Sequence, residues 1–158
     1  MLAPLLLLPL LTAAPAAAPR PSPTAQVYAV LEDWHAAAAA ADEARYFAHF
    51  TQDAVFLGTD GTERWTRDQF RAWAKPFFAR GKAWSFRARQ RHVAFSKDGR
   101  VAWFDEALDT PNMGPARGSG VLVREGGRWR IAQYNLSIPI PNALTDEVVK
   151  RIAGEKKQ

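Results

Sequence analysis

The second half of the chain reads as two long β-hairpins, and this feature most constrains the fold. Residues 82–96 and 101–110 are strand-like and flank the turn KDGR, whereas residues 116–125 and 128–140 flank a Gly-Gly turn. Polarity alternates along stretches such as WSFRARQRH, which is typical of strands with one covered face. An antiparallel sheet of this kind needs helices to cover its apolar face, and the first half of the chain must supply them.

Three helices are predicted in that first half. Residues 25–42 have the helical period and contain a run of six alanines, and a short second helix follows from Asp42, a good N-cap residue. A hairpin with an Asp60-Gly61 turn comes next, and a third helix is expected from Thr66 to Gly81, kinked or shortened at Pro76. One stripe of the first helix holds Val27, Leu31, Trp34, Ala38 and Ala41. This order predicts an α+β domain with helices on one face of a curved antiparallel sheet.

The N-terminal segment differs in kind from the rest of the chain. Residues 1–18 hold an apolar run of about ten residues followed by small residues, which predicts a secretory signal cleaved after Ala16 or Ala18. We therefore predict an exported protein, periplasmic or secreted, with no membrane attachment after cleavage. No Lys or Arg precedes the apolar run, so a cytoplasmic protein with a misassigned start stays open as the alternative. A Pro-rich linker (19–25), a folded domain (26–142) and a C-terminal helix with a charged tail (143–158) follow.

Composition excludes several kinds of chemistry. The chain has no cysteine, which rules out disulfides, a thiol nucleophile and thiolate metal sites. The net charge of +5 invites a nucleic-acid role, but acids are interleaved with the bases and the only dense basic run is RARQR. The three histidines lack metal-ligand spacing. We predict no metal, no cofactor and no nucleic-acid partner.

The stretch VAWFDEAL, residues 101–108, raises a question of register. A two-residue Asp98-Gly99 turn pairs Arg91 with Glu106 and His92 with Asp105. The alternation in WSFRARQRH places Trp84, Phe86 and Ala88 on the covered face and Arg87, Arg89 and Arg91 on the outer face. With Arg91 outside, this pairing predicts that Asp105 faces the interior and Glu106 faces outward. A three-residue loop with a Gly bulge would exchange the two acids, and the sequence leaves both registers open.

The last hairpin predicts a polar end to the interior. A bulged EGG loop would pair Val123 with Trp129 and Val121 with Ile131, apolar with apolar. Continued along both strands, that inner face reaches four polar side chains: Arg117, Ser119, Gln133 and Asn135. An apolar base with a polar end is typical of a ligand pocket.

The stretch DWHAAAAAADEARYFAHFTQDAVFLGTDG, the long curved sheet and the final GGRWRIAQYNLS resemble the nuclear transport factor 2-like superfamily in its SnoaL-like, polyketide-cyclase-like branch, over about residues 25–140. The resemblance implies a cystatin-like α+β roll, in which a cone-shaped sheet wraps around N-terminal helices with its mouth between helices and sheet. It also implies a homodimer, with Arg87, Arg89 and Arg91 at the interface. Relatives include ketosteroid isomerase, scytalone dehydratase, limonene epoxide hydrolase, polyketide cyclases and non-catalytic binding modules.

Catalytic roles carry over from ketosteroid isomerase only in part. Seven positions before Asp42, where the isomerase has an oxyanion-binding tyrosine, this chain has His35. Five positions after Asp53, where the isomerase has its proton-shuttling aspartate, it has Gly58. Without that base, 3-oxosteroid isomerisation is not expected.

The predicted function is a small-molecule binding protein with an aromatic-lined conical pocket. Its ligand would be a small apolar or aromatic molecule with a polar end. One alternative is a cofactor-independent acid–base isomerase, cyclase or dehydratase acting on a carbonyl-containing apolar substrate, and another is a non-catalytic dimeric accessory module. The candidate catalytic residues are His35, which borders the apolar stripe of its helix, and Asp105, which could also pair with Arg117 or His92. The candidate pocket residues are Trp34, Tyr46, Phe56, Trp65, Trp73, Trp103, Arg117, Ser119, Gln133 and Asn135.

Overall fold

The computed structural model describes residues 21–81 and 83–155. The predicted signal segment and its cleavage sites lie outside these residues. The helices are α1 (Pro23–Ala39), α2 (Glu43–Ala48), α3 (Arg67–Ala79) and, after a 3₁₀ turn at Asn142–Leu144, α4 (Thr145–Glu155). The strands are β1 (Phe50–Leu57), β2 (Arg64–Thr66), β3 (Arg87–Phe95), β4 (Val101–Thr110), β5 (Gly114–Glu125) and β6 (Arg128–Ser137).

The strands form one six-stranded sheet in the order β2-β1-β6-β5-β4-β3. All pairs are antiparallel except β1 with β6, which run parallel. The curved sheet and its helices confirm the predicted α+β class with a cystatin-like roll. None of the helices in the described part of the chain is long and apolar enough to cross a membrane.

Local capping sets where the helices begin. Ser22 accepts the backbone N–H of Ala25 and Pro23 occupies the first turn, so α1 starts inside the predicted linker. Thr66 and Gln69 form a capping box at the start of α3. This helix continues to Ala79 past Pro76, and Pro76 therefore does not end it.

In the β3–β4 hairpin the residues pair as predicted, but the side chains of the paired residues point to the opposite faces of the sheet from those predicted. Arg91 pairs with Glu106 and His92 with Asp105. A bulge between Ala88 and Gln90 shifts the register, and such an extra residue exchanges the two faces for everything beyond it. As a result Arg91 and Glu106 point inward, whereas His92 and Asp105 point outward. The predicted inward Asp105 is wrong, and Arg91 cannot share an outer interface with Arg87 and Arg89.

The β5–β6 hairpin corrects a second prediction. Gly126 and Gly127 both have positive φ and form a two-residue turn that pairs Glu125 with Arg128, in place of the expected bulged loop. The bulge lies further along, where Leu122 pairs with Ile131 but Val121 pairs with Gln133. The inner face of β5 therefore holds the buried residues Ala116, Gly118, Gly120 and Leu122. Four predicted pocket residues instead alternate with the buried positions and lie on the outer face: Arg117, Ser119, Gln133 and Asn135.

Candidate functional site

Aromatic side chains fill the deep part of the cone. Trp34 on α1 stacks on Tyr46 at 5.1 Å between ring centroids and meets Tyr134 of β6 edge-on at 4.6 Å. Phe56 of β1 stacks on Phe70 of α3 at 3.8 Å. All five rings are buried. Trp34 and Tyr46, predicted to line a pocket, thus belong to the core.

An open cavity of about 180 Å³ remains near the mouth. Trp65, Trp73 and Trp84 lie around Phe70 at ring-centroid distances of 5.7–5.9 Å, with planes tilted by 15–30° from that of Phe70. These near-parallel rings stack on Phe70, and all of them line the cavity. The cavity is lined by Phe56, Gly58, Thr59, Glu63, Trp65, Phe70, Trp73, Trp84, Phe86, Met113 and Leu136. We call it the aromatic cavity.

Trp73 and Trp103 show how differently the structure treats two predicted pocket tryptophans. Their exposed fractions are similar, 44% and 49%. Trp73 lines the aromatic cavity, whereas Trp103 occupies an outward position on β4. Of the predicted aromatic set, Phe56, Trp65 and Trp73 therefore meet at the cavity, and Trp103 does not.

A buried polar network lies on the inner face of the sheet. The Glu106 side chain is 0% exposed, and its Oε1 lies 2.7 Å from Nε2 of His35 on α1. Arg91 donates a hydrogen bond from Nε to Oε2 of Glu106 at 2.9 Å. Its Nη2 lies 2.8 Å from the same oxygen, but the N–H bonds there do not point at the oxygen, so this contact is an ion pair only. Tyr134 donates its hydroxyl to Oε1 at 3.3 Å. We call these residues the Glu106 network: His35, Arg91, Glu106 and Tyr134.

The network holds Glu106 in its ionised form. Burial raises the pKa of Glu106, but the hydrogen bond from His35 and the charges of His35 and Arg91 outweigh it, leaving the pKa below its ordinary value of 4.5. Burial, followed by the nearby Glu106 charge, raises the pKa of Tyr134 well above its ordinary value, so that hydroxyl keeps its proton. An ionised carboxylate only accepts hydrogen bonds, so Nε2 of His35 carries hydrogen. In a neutral His35 ring, Nδ1 is then the basic nitrogen.

Gly118 makes room for the network. A Cβ at this position would lie 2.2 Å from Oη of Tyr134 and 2.8 Å from Oε1 of Glu106. Any larger residue at this position would collide with both side chains and force them to shift away from β5. The glycine in RGSG therefore provides a close approach between strand backbone and buried polar side chains.

A second recess of about 280 Å³ exposes one edge of the network to solvent. His35, Arg91, Glu32 and Phe86 are among its lining residues. Phe86 lines the aromatic cavity as well, and its ring centroid lies 6.0 Å from that of His35. Phe86 therefore borders both the aromatic cavity and the recess at His35.

The candidate catalytic pair predicted from sequence is only half assembled. His35 is buried and sits in the Glu106 network. Asp105 is exposed and pairs with His92 at 3.3 Å on the outer face. Because Arg117 is also exposed, no buried Asp105–Arg117 pair exists.

Sequence reasoning missed Glu106, Arg91, Tyr134, Glu63, Trp84 and Phe86. Alternation along β4 does not single out Glu106, because both sides of the strand are mostly apolar: Ala102, Phe104 and Leu108 lie on the side of Glu106, and Val101, Trp103 and Ala107 on that of Asp105. Arg91 carried no signal either, because the bulge that turns it inward follows from strand pairing. No three histidine or acidic side chains in residues 21–81 and 83–155 lie close enough together to hold a metal ion.

A model of the SnoaL-like domain family matches residues 27–141. Among solved structures, an NTF2-like protein of unknown function from Pseudomonas putida is 17% identical over 77% of this chain and 91% of its own, with a TM-score of 0.64. A cystatin-like-fold protein of unknown function from Nostoc punctiforme is 11% identical over 73% and 90%, with a TM-score of 0.63. A candidate scytalone dehydratase from Novosphingobium aromaticivorans is 12% identical over 74% and 84%, with a TM-score of 0.62. No curated protein is significantly similar to the chain. At these identities the structural similarities concern the fold alone.

Proposed function

Because the chain belongs to the SnoaL-like domain family, we propose that it is a small-molecule binding protein whose ligand inserts an apolar ring into the aromatic cavity. The observation that carries the proposal is the cavity itself, about 180 Å³ of space walled by aromatic rings and open at the mouth of the cone. Ligand sites are concave and mainly apolar, with a few polar groups that set orientation. Glu63 and Thr59 supply such groups here.

The size of the cavity limits the ligand. Its volume of about 180 Å³ is close to the roughly 150 Å³ of an engineered cavity that holds benzene, and below the ~300 Å³ at which drug-sized pockets begin. One ring with a short substituent fits, whereas a fused-ring steroid would remain largely outside. The polar end of the ligand would face the rim formed by Glu63 and Thr59.

The two half-exposed tryptophans provide a direct test. Thermal-shift measurements with a panel of single-ring aromatic compounds should give hits, since a ligand at 100 times its Kd adds about 2.7 kcal/mol to stability. For a hit, Trp73→Ala should weaken binding at least tenfold. Trp103→Ala, matched in exposure but on the outer face, should leave binding unchanged. Equal losses in the two variants would contradict binding at the aromatic cavity.

A second candidate function is acid–base catalysis without a cofactor, of the isomerase, cyclase or dehydratase kind. The specific observation behind it is the buried His35–Glu106 pair, in which the carboxylate orients the ring and leaves Nδ1 available to take a proton. A carbonyl-containing substrate in the aromatic cavity would have to move Phe86 aside to reach this nitrogen. His35→Gln should then abolish turnover while ligand affinity persists, and a parent protein that binds without turnover would exclude this candidate.

We also propose that the protein forms homodimers through the outer face of the sheet. Trp103 is half exposed there, and Val121 and Val123 lie on the same side. Sedimentation should give a dimer at micromolar concentration, and Trp103→Glu should shift it to the monomer.

We further propose that the protein is exported, because residues 1–18 have the pattern of a secretory signal. Mass spectrometry of the protein from its native host would show whether the chain begins after Ala16 or Ala18.

A further inference from the structure

The aromatic cavity has one charge and no counter-charge. Glu63 is the only ionisable side chain among the described residues that line it. This is unusual for a chain with 21 basic and 16 acidic residues. Arg64, the next residue, does not line the cavity; it lines a neighbouring groove that Gly58, Thr59 and Glu63 also border.

The carboxylate of Glu63 is held in place by the turn between β1 and β2. Gly58 donates its N–H to the carbonyl of Glu63 at 2.9 Å, and Oε2 of Glu63 accepts the N–H of Asp60 at 3.1 Å. A Cβ on Gly58 would lie 2.1 Å from Oε2, so this glycine lets the carboxylate lie against the backbone. No salt bridge within residues 21–81 and 83–155 involves Glu63, which leaves its negative charge without an ionic partner there.

The rings around the cavity favour a cation over an anion wherever a ring face meets the ligand. The faces of aromatic rings carry negative potential, and indole attracts cations more strongly than phenyl. Three indoles line the cavity, those of Trp65, Trp73 and Trp84. Trp65 and Trp73 lie 5.1 Å apart with planes 24° from parallel. A carboxylate or phosphate entering this space would lose its hydration without gaining a positive partner.

From this arrangement we infer, building on the proposed function, that the group bound in the aromatic cavity is an organic cation. A quaternary or alkylated ammonium fits best, because it is weakly hydrated and can contact several ring faces at once. Glu63 is its counter-charge at the rim. The ligand class is therefore a small amine or ammonium compound that carries one aromatic ring.

A pair of equally shaped ligands separates charge from shape. (3-Hydroxyphenyl)trimethylammonium and 3-tert-butylphenol differ only in that one carries a nitrogen with a positive charge where the other has a carbon. Titration calorimetry on the parent protein should show the cation binding at least tenfold more tightly. Binding of 3-hydroxybenzoate should be weaker than that of either compound.

The outcomes distinguish this inference from the function on which it rests. If both compounds bind equally, or the benzoate binds best, the inference is overturned and a small-molecule site remains. If none of the three binds, the proposed use of the cavity fails and the inference fails with it.

Substitution of the counter-charge adds a second readout. Glu63→Gln should weaken binding of the cation about tenfold and leave that of 3-tert-butylphenol unchanged. Glu125→Gln, an exposed acid at the end of β5 that does not line the cavity, should change neither. Equal weakening of both ligands by Glu63→Gln would show that the residue only shapes the rim, which would overturn its role as counter-charge.

Discussion

The two faces of the β3–β4 hairpin carry neighbouring acids in opposite situations. Asp105 lies outside, 57% exposed, with His92 at 3.3 Å as its partner. Glu106 lies inside at 0% exposure, and His35, Arg91 and Tyr134 all contact it. Each acid has a histidine partner, so residue type alone does not distinguish the two sites.

The difference between the two faces lies in solvation. Water screens the outer pair and competes for its hydrogen bonds, which limits such pairs to about 0–1 kcal/mol. The inner carboxylate has lost its water and depends on its three partners, so removal of any member leaves a buried charge or polar group uncompensated. A histidine–carboxylate pair is therefore dispensable for stability on the outer face and required for it on the inner face.

The largest effect is expected on removing the inner acid. Glu106→Gln should lower the free energy of unfolding by about 3–5 kcal/mol, because the buried Arg91 loses its buried counter-charge and keeps only Glu32, a largely exposed acid at 3.6 Å. Asp105→Asn, the matched change on the outer face, should stay within about 0.5 kcal/mol of the parent. Urea denaturation measures both, and similar losses would remove the distinction between the faces.

A smaller loss is expected from crowding the network. Gly118→Ala places a methyl group 2.2 Å from Oη of Tyr134 and should cost about 1–3 kcal/mol, the usual range for overpacking. Gly61→Ala is the control, since a Cβ there would meet nothing within 4 Å. A Gly118→Ala variant of unchanged stability would mean that Tyr134 and Glu106 can shift away from β5 at little cost.

The pH dependence of stability tests the same network without changing its shape. Because the folded state holds the pKa of Glu106 below 4.5, its contribution is fully present above that pH and is lost as pH falls through the lower, folded-state value. Chemical denaturation from pH 7 down to pH 3 should therefore show a steeper acid loss for the parent than for Glu106→Gln. Asp105→Asn should follow the parent, and parallel curves for parent and Glu106→Gln would contradict the depressed pKa.

Local sequence pattern predicted the pairing of β3 with β4 but not which face each later residue of β3 occupies. Alternation correctly placed Phe86 and Ala88 toward the interior, and the turn at Asp98-Gly99 correctly predicted the pairs Arg91–Glu106 and His92–Asp105. The facing of Arg91 was wrong because a single bulged residue inverts every later position. Its side chain is 4% exposed, in the middle of a run that reads as a solvated basic strand.

The cavity was predictable in kind but not in extent. The abundance of rings indicated an aromatic interior, and Phe56, Trp65 and Trp73 do meet at the mouth. Which rings would pack together and which would leave space depends on how α3 lies against β1 and β2. Trp34 and Tyr46 therefore ended in the core, whereas Trp84 and Phe86 became walls.

By itself, the sequence determined the helices, the hairpins, the class of fold and the family, because period, caps and turn residues act over a few neighbouring positions. The tertiary structure alone decided the faces of β3 to β6, and with them the choice of Glu106 over Asp105 as the interior acid. It also decided the size of the aromatic cavity and the placement of Glu63 at its rim. The physical reason is that bulges and packing gaps arise from contacts between segments that are distant in sequence. A pattern over a few neighbouring residues does not contain the energies of those contacts.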